Sequence, residues 1–180
     1  RGVVHRDIKP ANIMLGEFGE VLVLDWGIAR IREATEENQP SVVVQRSDAP
    51  AGEVGPMVTA DGERIGTLLY APPEQALGEQ ERVDERSDIY SLGATLYEFL
   101  TLERAFGSEG GKNVTYKEVF VKVAEGTFSP PIERSGDPTI SREIEAVILK
   151  AMALEPKDRY QRVQELEADL EAYLDRLVPE

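Results

Sequence analysis

Cysteine is absent from this 180-residue sequence, and histidine and tryptophan occur once each. Without cysteine there is no disulfide framework and no thiolate metal site, and one histidine leaves few routes to a histidine-based metal site. Basic residues are in the minority: 20 lysines and arginines face 34 aspartates and glutamates, a formal net charge of −14. A chain of that sign lacks the basic stripe that a nucleic-acid backbone requires, and an anionic membrane repels it. Neither nucleic acid nor membrane contact is therefore expected of this segment. No apolar run approaches the ~20 residues of a membrane-spanning helix, and no signal peptide opens the sequence. The first residue is Arg rather than Met, so the segment reads as cytoplasmic and cut from a longer chain. Its length suffices for one sizeable core.

No internal repeat is visible. Two short apolar runs, Ile13-Met14-Leu15 and Val21-Leu22-Val23-Leu24, flank Gly16-Glu17-Phe18-Gly19-Glu20, which predicts a β-hairpin. From Glu33 to Arg64 there is no periodicity, and Pro40, Pro50, Pro56, Gly52, Gly55 and Gly62 punctuate a mostly acidic stretch. That composition predicts a long mobile loop, of the kind that is usually functional or disordered. Beyond it the pattern turns helical. Ser87 is the expected N-cap of a helix reaching about Leu102, with Ile89, Leu92, Leu96 and Phe99 at helical spacing and Tyr90, Ala94, Thr95 and Tyr97 on its other face. A helix apolar nearly all round is expected to be buried. Three more are predicted, at Tyr116–Ala124, Ser141–Leu154 and Val163–Leu177. Ser141–Leu154 is expected to bury Ile144, Val147, Ile148 and Ala151, and Val163–Leu177 to turn Leu166, Leu170, Tyr173, Leu174 and Leu177 inward. The architecture expected from pattern alone is a small hairpin followed by a helical bundle.

The polar residues at the hairpin's ends carry the chemistry. His5-Arg6-Asp7-Ile8-Lys9-Pro10-Ala11-Asn12 leads into its first strand, and Asp25-Trp26-Gly27 follows its second. A hairpin brings its two open-end segments together, so Asp7, Lys9, Asn12 and Asp25 can converge. Carboxylate and amide oxygens are hard ligands for Mg²⁺, which takes few protein ligands and completes its shell with substrate phosphates. A lysine offers positive charge to a phosphoryl group in flight, and a spare carboxylate can orient an attacking hydroxyl and accept its proton.

Those residues, at that spacing, resemble the protein-kinase signature: His-Arg-Asp, Lys two residues on, Asn five residues after the Asp, and Asp-x-Gly after a hairpin. The resemblance implies a protein-kinase-like α+β fold, with residues 1–180 as its C-terminal lobe, mainly helical with a small hairpin at the catalytic site. It implies Asp7 as catalytic base, Lys9 as the cation that neutralises the transferring phosphate, and Asn12 and Asp25 as Mg²⁺ ligands, with Mn²⁺ as an alternative ion. Met14 matches the apolar floor of the adenine pocket. Lys9 marks the serine/threonine type, so ATP and protein hydroxyl substrates are the implied partners. Gly66-Thr67-Leu68-Leu69-Tyr70-Ala71-Pro72-Pro73-Glu74 resembles the end of an activation segment. There Thr67 is implied to bond near the catalytic Asp and Lys, and Glu74 to pair with Arg159. Ser87-Asp88-Ile89-Tyr90-Ser91-Leu92-Gly93 resembles the start of the family's central helix, whose Asp88 anchors the catalytic-loop backbone. The resemblance covers the chain apart from an insertion over residues 33–64.

Three positions depart from the family pattern. Trp26 replaces the usual phenylalanine of Asp-Phe-Gly, Ala-Pro-Pro-Glu replaces Ala-Pro-Glu, and Ala11 stands where kinases preferring basic substrates often carry glutamate. Arg6, next to the catalytic Asp, implies a switch by activation-loop phosphorylation. Thr59, eight residues before Thr67, is the expected acceptor, with Thr35, Ser41 and Ser47 as lesser candidates. The competing readings are a pseudokinase or scaffold that binds protein partners through the same fold, and a small-molecule phosphotransferase. Retention of Asp7, Lys9, Asn12 and Asp25 argues against the former, and Gly66–Glu74 with Arg159 against the latter. The segment holds no Gly-rich loop and no strand lysine paired with a helix glutamate, parts that belong to the N-terminal lobe. Alone it is expected to turn over little, and to expose the apolar surface that would meet that lobe.

Overall fold

Short strands open the chain because Val3–Val4 (β1), Ile13–Leu15 (β2) and Val21–Val23 (β3) are runs of β-branched and large apolar residues broken by turns. A computed structural model describes residues 2–27, 29–31, 61–107 and 114–177. β2 and β3 form the expected antiparallel hairpin, pairing Ile13 with Val23, Met14 with Leu22 and Leu15 with Val21. Its loop closes through Gly16 N–H to Glu20 O at 2.8 Å, with Gly19 at φ +86°, a conformation that glycine adopts at no steric cost. A second two-stranded pairing was not legible in the sequence: β1 pairs antiparallel with Arg30–Ile31 (β4).

The remainder is helical. Asp61–Leu68 (α1) and Pro73–Ala76 (α2) precede the central helix Glu85–Thr101 (α3), followed by Tyr116–Glu125 (α4), Pro131–Ser135 (α5), Arg142–Ala151 (α6) and Val163–Leu177 (α7). The core gathers around α3: Ile89, Tyr90, Ala94 and Tyr97 pack with Phe106, Val119, Val123, Ile144, Ile148, Ala151 and Tyr160. Gly93 lets α6 come close, since a Cβ there would lie 2.8 Å from the Cβ of Ala151.

Several sequence expectations need correction. The N-cap of α3 is Asp84, not Ser87; Asp84 accepts the Arg86 backbone N–H, while Ser87 is the N3 partner of the capping box. Two oxygen-bearing side chains three residues apart each suit a cap, and the pair acts reciprocally. The helix expected over Ser141–Leu154 has Ser141 as its cap and stops at Ala151. The end of the predicted loop is helical, because α1 starts at Asp61; residues 33–60 lie outside the described residues. Leu174 and Leu177, expected inward, are exposed, as is Phe99. α7 packs on the core through Leu166, Leu170 and Tyr173, and among the described residues no element covers Leu174 and Leu177.

Candidate functional site

The loop between β1 and β2 is pinned from the core. Asp88, in the first turn of α3, accepts the backbone N–H of His5 at 2.7 Å and of Arg6 at 2.9 Å, one on each carboxylate oxygen. Burial pushes the Asp88 carboxyl above its usual range, although both N–H groups pull the other way. Arg6 has φ +73°, a left-handed conformation that costs a non-glycine residue energy and persists only where neighbours fix it. Asp88 fixes it on one side, and Gln75 of α2 on the other, donating from Nε2 to Arg6 O at 2.8 Å. The Arg6 guanidinium reaches the Gln80 side-chain carbonyl.

This bent backbone presents Asp7 to two cationic or amide donors. Lys9 Nζ lies 2.8 Å from Asp7 Oδ2, and Asn12 Nδ2 donates to the same oxygen at 2.9 Å and to Asp7 O at 2.8 Å. Pro10–Asn12 forms a single 3₁₀ turn, which brings Asn12 back over Asp7. With Oδ2 occupied, Oδ1 of Asp7 is the oxygen left to meet a hydroxyl proton. Lys9 also donates to Thr67 Oγ1 at 2.9 Å, tying the loop to α1 across 58 positions of sequence.

Asn12 spends its amide hydrogens on Asp7, which turns Oδ1 away as an open acceptor. Leu24 N–H donates to Asn12 O at 2.8 Å, placing Asp25 beside it. Asp25 has φ +61°, and its Oδ1 faces the Gly27 N–H at 3.4 Å. One amide oxygen and one carboxylate make a donor set of hard oxygens too sparse to enclose an ion alone. That fits Mg²⁺ shared with a phosphate-bearing substrate. Among the described residues no group of three or more His, Asp or Glu side chains can hold a metal. Met14 lies on β2 opposite Leu22 and is half exposed, on the hairpin rather than against Asp7.

A second cluster lies behind the first. Glu74, the second residue of α2, meets Arg159 in a fully buried bidentate pair with both N···O distances 2.8 Å. Burial alone would push the Glu74 carboxyl up, but the hydrogen bonds and charge of Arg159 outweigh it, and the group lies below its usual range. All five guanidinium N–H groups are used: two on Glu74, and one each on Ala153 O, Leu154 O and Arg86 O. Tyr90 lies under the guanidinium, its ring centroid 4.8 Å from Arg159 Cζ.

The structure thus brings together Asp7, Lys9, Asn12 and Thr67, sets Asp25 alongside through the backbone, and pairs Glu74 with Arg159. Thr59, Thr35, Ser41 and Ser47 lie outside the described residues. Sequence reading missed Gln75, Gln80, Ser87 as a donor to Glu74 at 2.7 Å, and His5 as a link in the site. His5 Nδ1 accepts the Asp7 N–H at 3.3 Å, so Nε2 carries the proton and donates to Leu24 O at 3.1 Å. No local pattern marks Gln75 or Gln80, because their partners come from the loop before β2.

Comparison with known sequences adds an independent line. The family described as protein kinase domain matches residues 1–170. A probable serine/threonine-protein kinase of Streptomyces coelicolor is 41% identical over 174 residues, covering 97% of this chain and 22% of that protein. The serine/threonine-protein kinase PknD of Chlamydia trachomatis is 36% identical over 180 residues, covering 97% of this chain and 18% of its own length. PknB of Mycobacterium tuberculosis is 39% identical over 169 residues, covering 94% and 22%. The chain therefore spans about a fifth of the length of these relatives.

Proposed function

Because this chain belongs to the protein kinase domain family, we propose that it is the C-terminal lobe of a serine/threonine protein kinase that transfers the γ-phosphate of ATP to protein hydroxyls. The observation that carries the reading is the Asp7–Lys9–Asn12 cluster with Lys9 bonded to Thr67. A carboxylate placed by two donors on one oxygen keeps its other oxygen for the substrate. In this role Asp7 Oδ1 accepts the proton as the serine or threonine oxygen bonds to phosphorus and the bridging oxygen departs with ADP. Lys9, between Asp7 and Thr67, lies where it can also neutralise the transferring group.

Asn12 Oδ1 and the Asp25 carboxylate are the groups that would hold Mg²⁺, which when bound offsets phosphate charge and orients the nucleotide. Thr67 reads as part of the platform that receives the substrate segment, and the Glu74–Arg159 pair as the brace beneath it. Arg6 and Thr59 are proposed as two ends of a phosphorylation switch, in which a phosphate added near Thr59 pairs with the Arg6 guanidinium. The relatives' names carry the serine/threonine assignment for those proteins, and Lys9 supports it here.

The direct test is radiolabelled phosphotransfer from ATP to a serine/threonine protein substrate by the full-length protein. Loss of a general base of this kind lowers the rate by about 10²- to 10⁴-fold, so Asp7→Asn is expected to fall by that factor while still binding nucleotide. Equal rates for Asp7→Asn and wild type would sink the proposal. A companion Thr59→Ala protein with undiminished activity would dismiss the switch and leave the chemistry standing.

A further inference from the structure

Beyond Thr67 the chain carries a charge pair that the phosphotransfer chemistry does not use. Tyr70 lies one turn further along the same segment, its backbone N–H donating to Thr67 O at 3.2 Å. Tyr70 is buried, and its hydroxyl donates to Oε2 of Glu98 in the last turn of α3. Burial first, and then the Glu98 carboxylate, push the Tyr70 phenol up to about 12, so it stays a donor near neutral pH. The other Glu98 oxygen faces Arg104, whose Nε lies 3.3 Å from Oε1.

The two partners differ in what they show to solvent. The Glu98 side chain is 23% exposed and that of Arg104 51%, so the carboxylate is spent inside the chain while the guanidinium is presented outward. A surface ion pair of this kind is weak. A guanidinium also has five N–H donors, of which Nε meets Glu98. A second carboxylate can therefore join Arg104 without displacing the first. The catalytic loop agrees in sign, since Ala11, between Lys9 and Asn12, offers no carboxylate to a cationic side chain. The Arg104 side chain does not hold its own loop. Its backbone carbonyl does so, accepting Arg134 Nη2 and the Gly107 N–H at 3.1 Å each.

We infer that Arg104 is a specificity-determining residue: it neutralises Glu98 beside the substrate platform and selects protein hydroxyls flanked by acidic rather than basic side chains. The inference rests on the phosphotransfer reading above, which makes the segment from Thr67 to Tyr70 that platform. A peptide whose hydroxyl meets Asp7 runs past Thr67, which Lys9 ties to that carboxylate, and then past Tyr70, where Arg104 stands. Without Arg104 the same place presents Glu98, and the preference reverses.

The test uses the full-length protein and two serine peptides of identical composition. In one, two glutamates flank the serine and two arginines sit at the remote end; in the other the pairs are exchanged. The field of a chain with net charge −14 then acts on both alike, and only the contact differs. Wild type is expected to favour the glutamate-flanked peptide by about 3- to 10-fold in kcat/KM, the size of one net hydrogen bond. Arg104→Lys keeps that order, Arg104→Met reverses it, and Arg104→Met combined with Glu98→Gln shows no preference. Mg·ADP affinity by calorimetry is expected to be unchanged in all of them.

Equal rates on the two peptides in wild type, an arginine preference in wild type, or a preference that Arg104→Met leaves unchanged would each overturn the inference. Wild type that transfers phosphate to neither peptide refutes the phosphotransfer reading alone, and fluorescence anisotropy of the labelled peptides then decides. Tighter binding of the glutamate-flanked peptide, lost in Arg104→Met, upholds the selection by Arg104, and equal binding overturns it.

Discussion

Arg159 spends all five of its N–H groups inside the protein, two of them on Glu74. Removing one partner of such a pair leaves a charge stranded out of water, at a cost of about 3–5 kcal/mol. Arg159→Met and Glu74→Gln are both expected to destabilise the protein on that scale in urea denaturation. Arg159→Lys recovers only part of the loss, since an ammonium has three donors and no planar fork. The carboxyl of Glu74 is held below its ordinary value near 4.5 by Arg159. A depressed folded-state pKa stabilises fully above the unfolded value and is lost as pH falls through the folded one. The gap in melting temperature between wild type and Glu74→Gln should therefore be constant near neutrality and close below about pH 4. Asp88 is a different case, because its two oxygens each serve a backbone N–H. Asp88→Asn turns one acceptor into a donor and strands an N–H, which costs about 1–3 kcal/mol. It should also lower phosphotransfer, since those N–H groups fix the bend before Asp7.

At the scale of an element, α3 is the post around which the others stand. Its start is fixed by the reciprocal bonds of Asp84 and Ser87, and Ser87 also reaches Glu74. One cap thus sets both the helix and the buried ion pair. Its middle is fixed by the absence of a side chain at Gly93, against Ala151 and Met152 of the α6 end. A methyl group in that space meets atoms at 2.8 and 2.9 Å, so α6 must move outward. Gly93→Ala is expected to destabilise by about 1–3 kcal/mol through overpacking, despite alanine's better helix propensity. The end of α7 gives the contrast. Leu177 is exposed, so Leu177→Asp should stay within about 0.5 kcal/mol of wild type. Thermal melts of the two variants side by side would check both statements.

Across the whole molecule, apolar surface is unevenly placed. The core around α3 is closed, while the β2–β3 hairpin shows Met14, Leu15, Phe18, Val21 and Leu22 to solvent. Met14 and Leu22 share one face of the hairpin and Leu15 and Val21 the other, and exposed apolar surface of this kind drives association unless another surface covers it. The 180-residue chain by itself is expected to self-associate in sedimentation velocity, and Leu15→Glu with Leu22→Glu to restore the monomer. Unchanged sedimentation of the double variant would place the association elsewhere. The hairpin's exposure has a further consequence. What holds the Asp7 cluster is the helical side, through Asp88 of α3 and Thr67 of α1, rather than the exposed strands that flank it.

The sequence by itself determined the hairpin and the four long helices, because each rests on local spacing, and it singled out Asp7, Lys9, Asn12 and Asp25 as candidates. Apolar period two or 3.6, caps, and the offsets among Asp7, Lys9, Asn12 and Asp25 are all readable within a few residues. It also determined the pairing of Glu74 with Arg159, through the resemblance rather than through any physical signal. Only the tertiary structure decided the rest. The β1–β4 pairing, Gln75 on Arg6 and Ser87 on Glu74 join residues whose partners the chain delivers from elsewhere, while Asp84 over Ser87 as the cap was a choice between two local candidates. Exposure at the end of α7 was likewise beyond the pattern, since a stripe shows which face is apolar and not whether another element reaches it. The left-handed bend at Arg6 has the same origin, since Asp88 and Gln75 hold it from distant elements. Asp25, bent the same way, is of a type that tolerates the conformation and also accepts the Gly27 N–H on its own side chain.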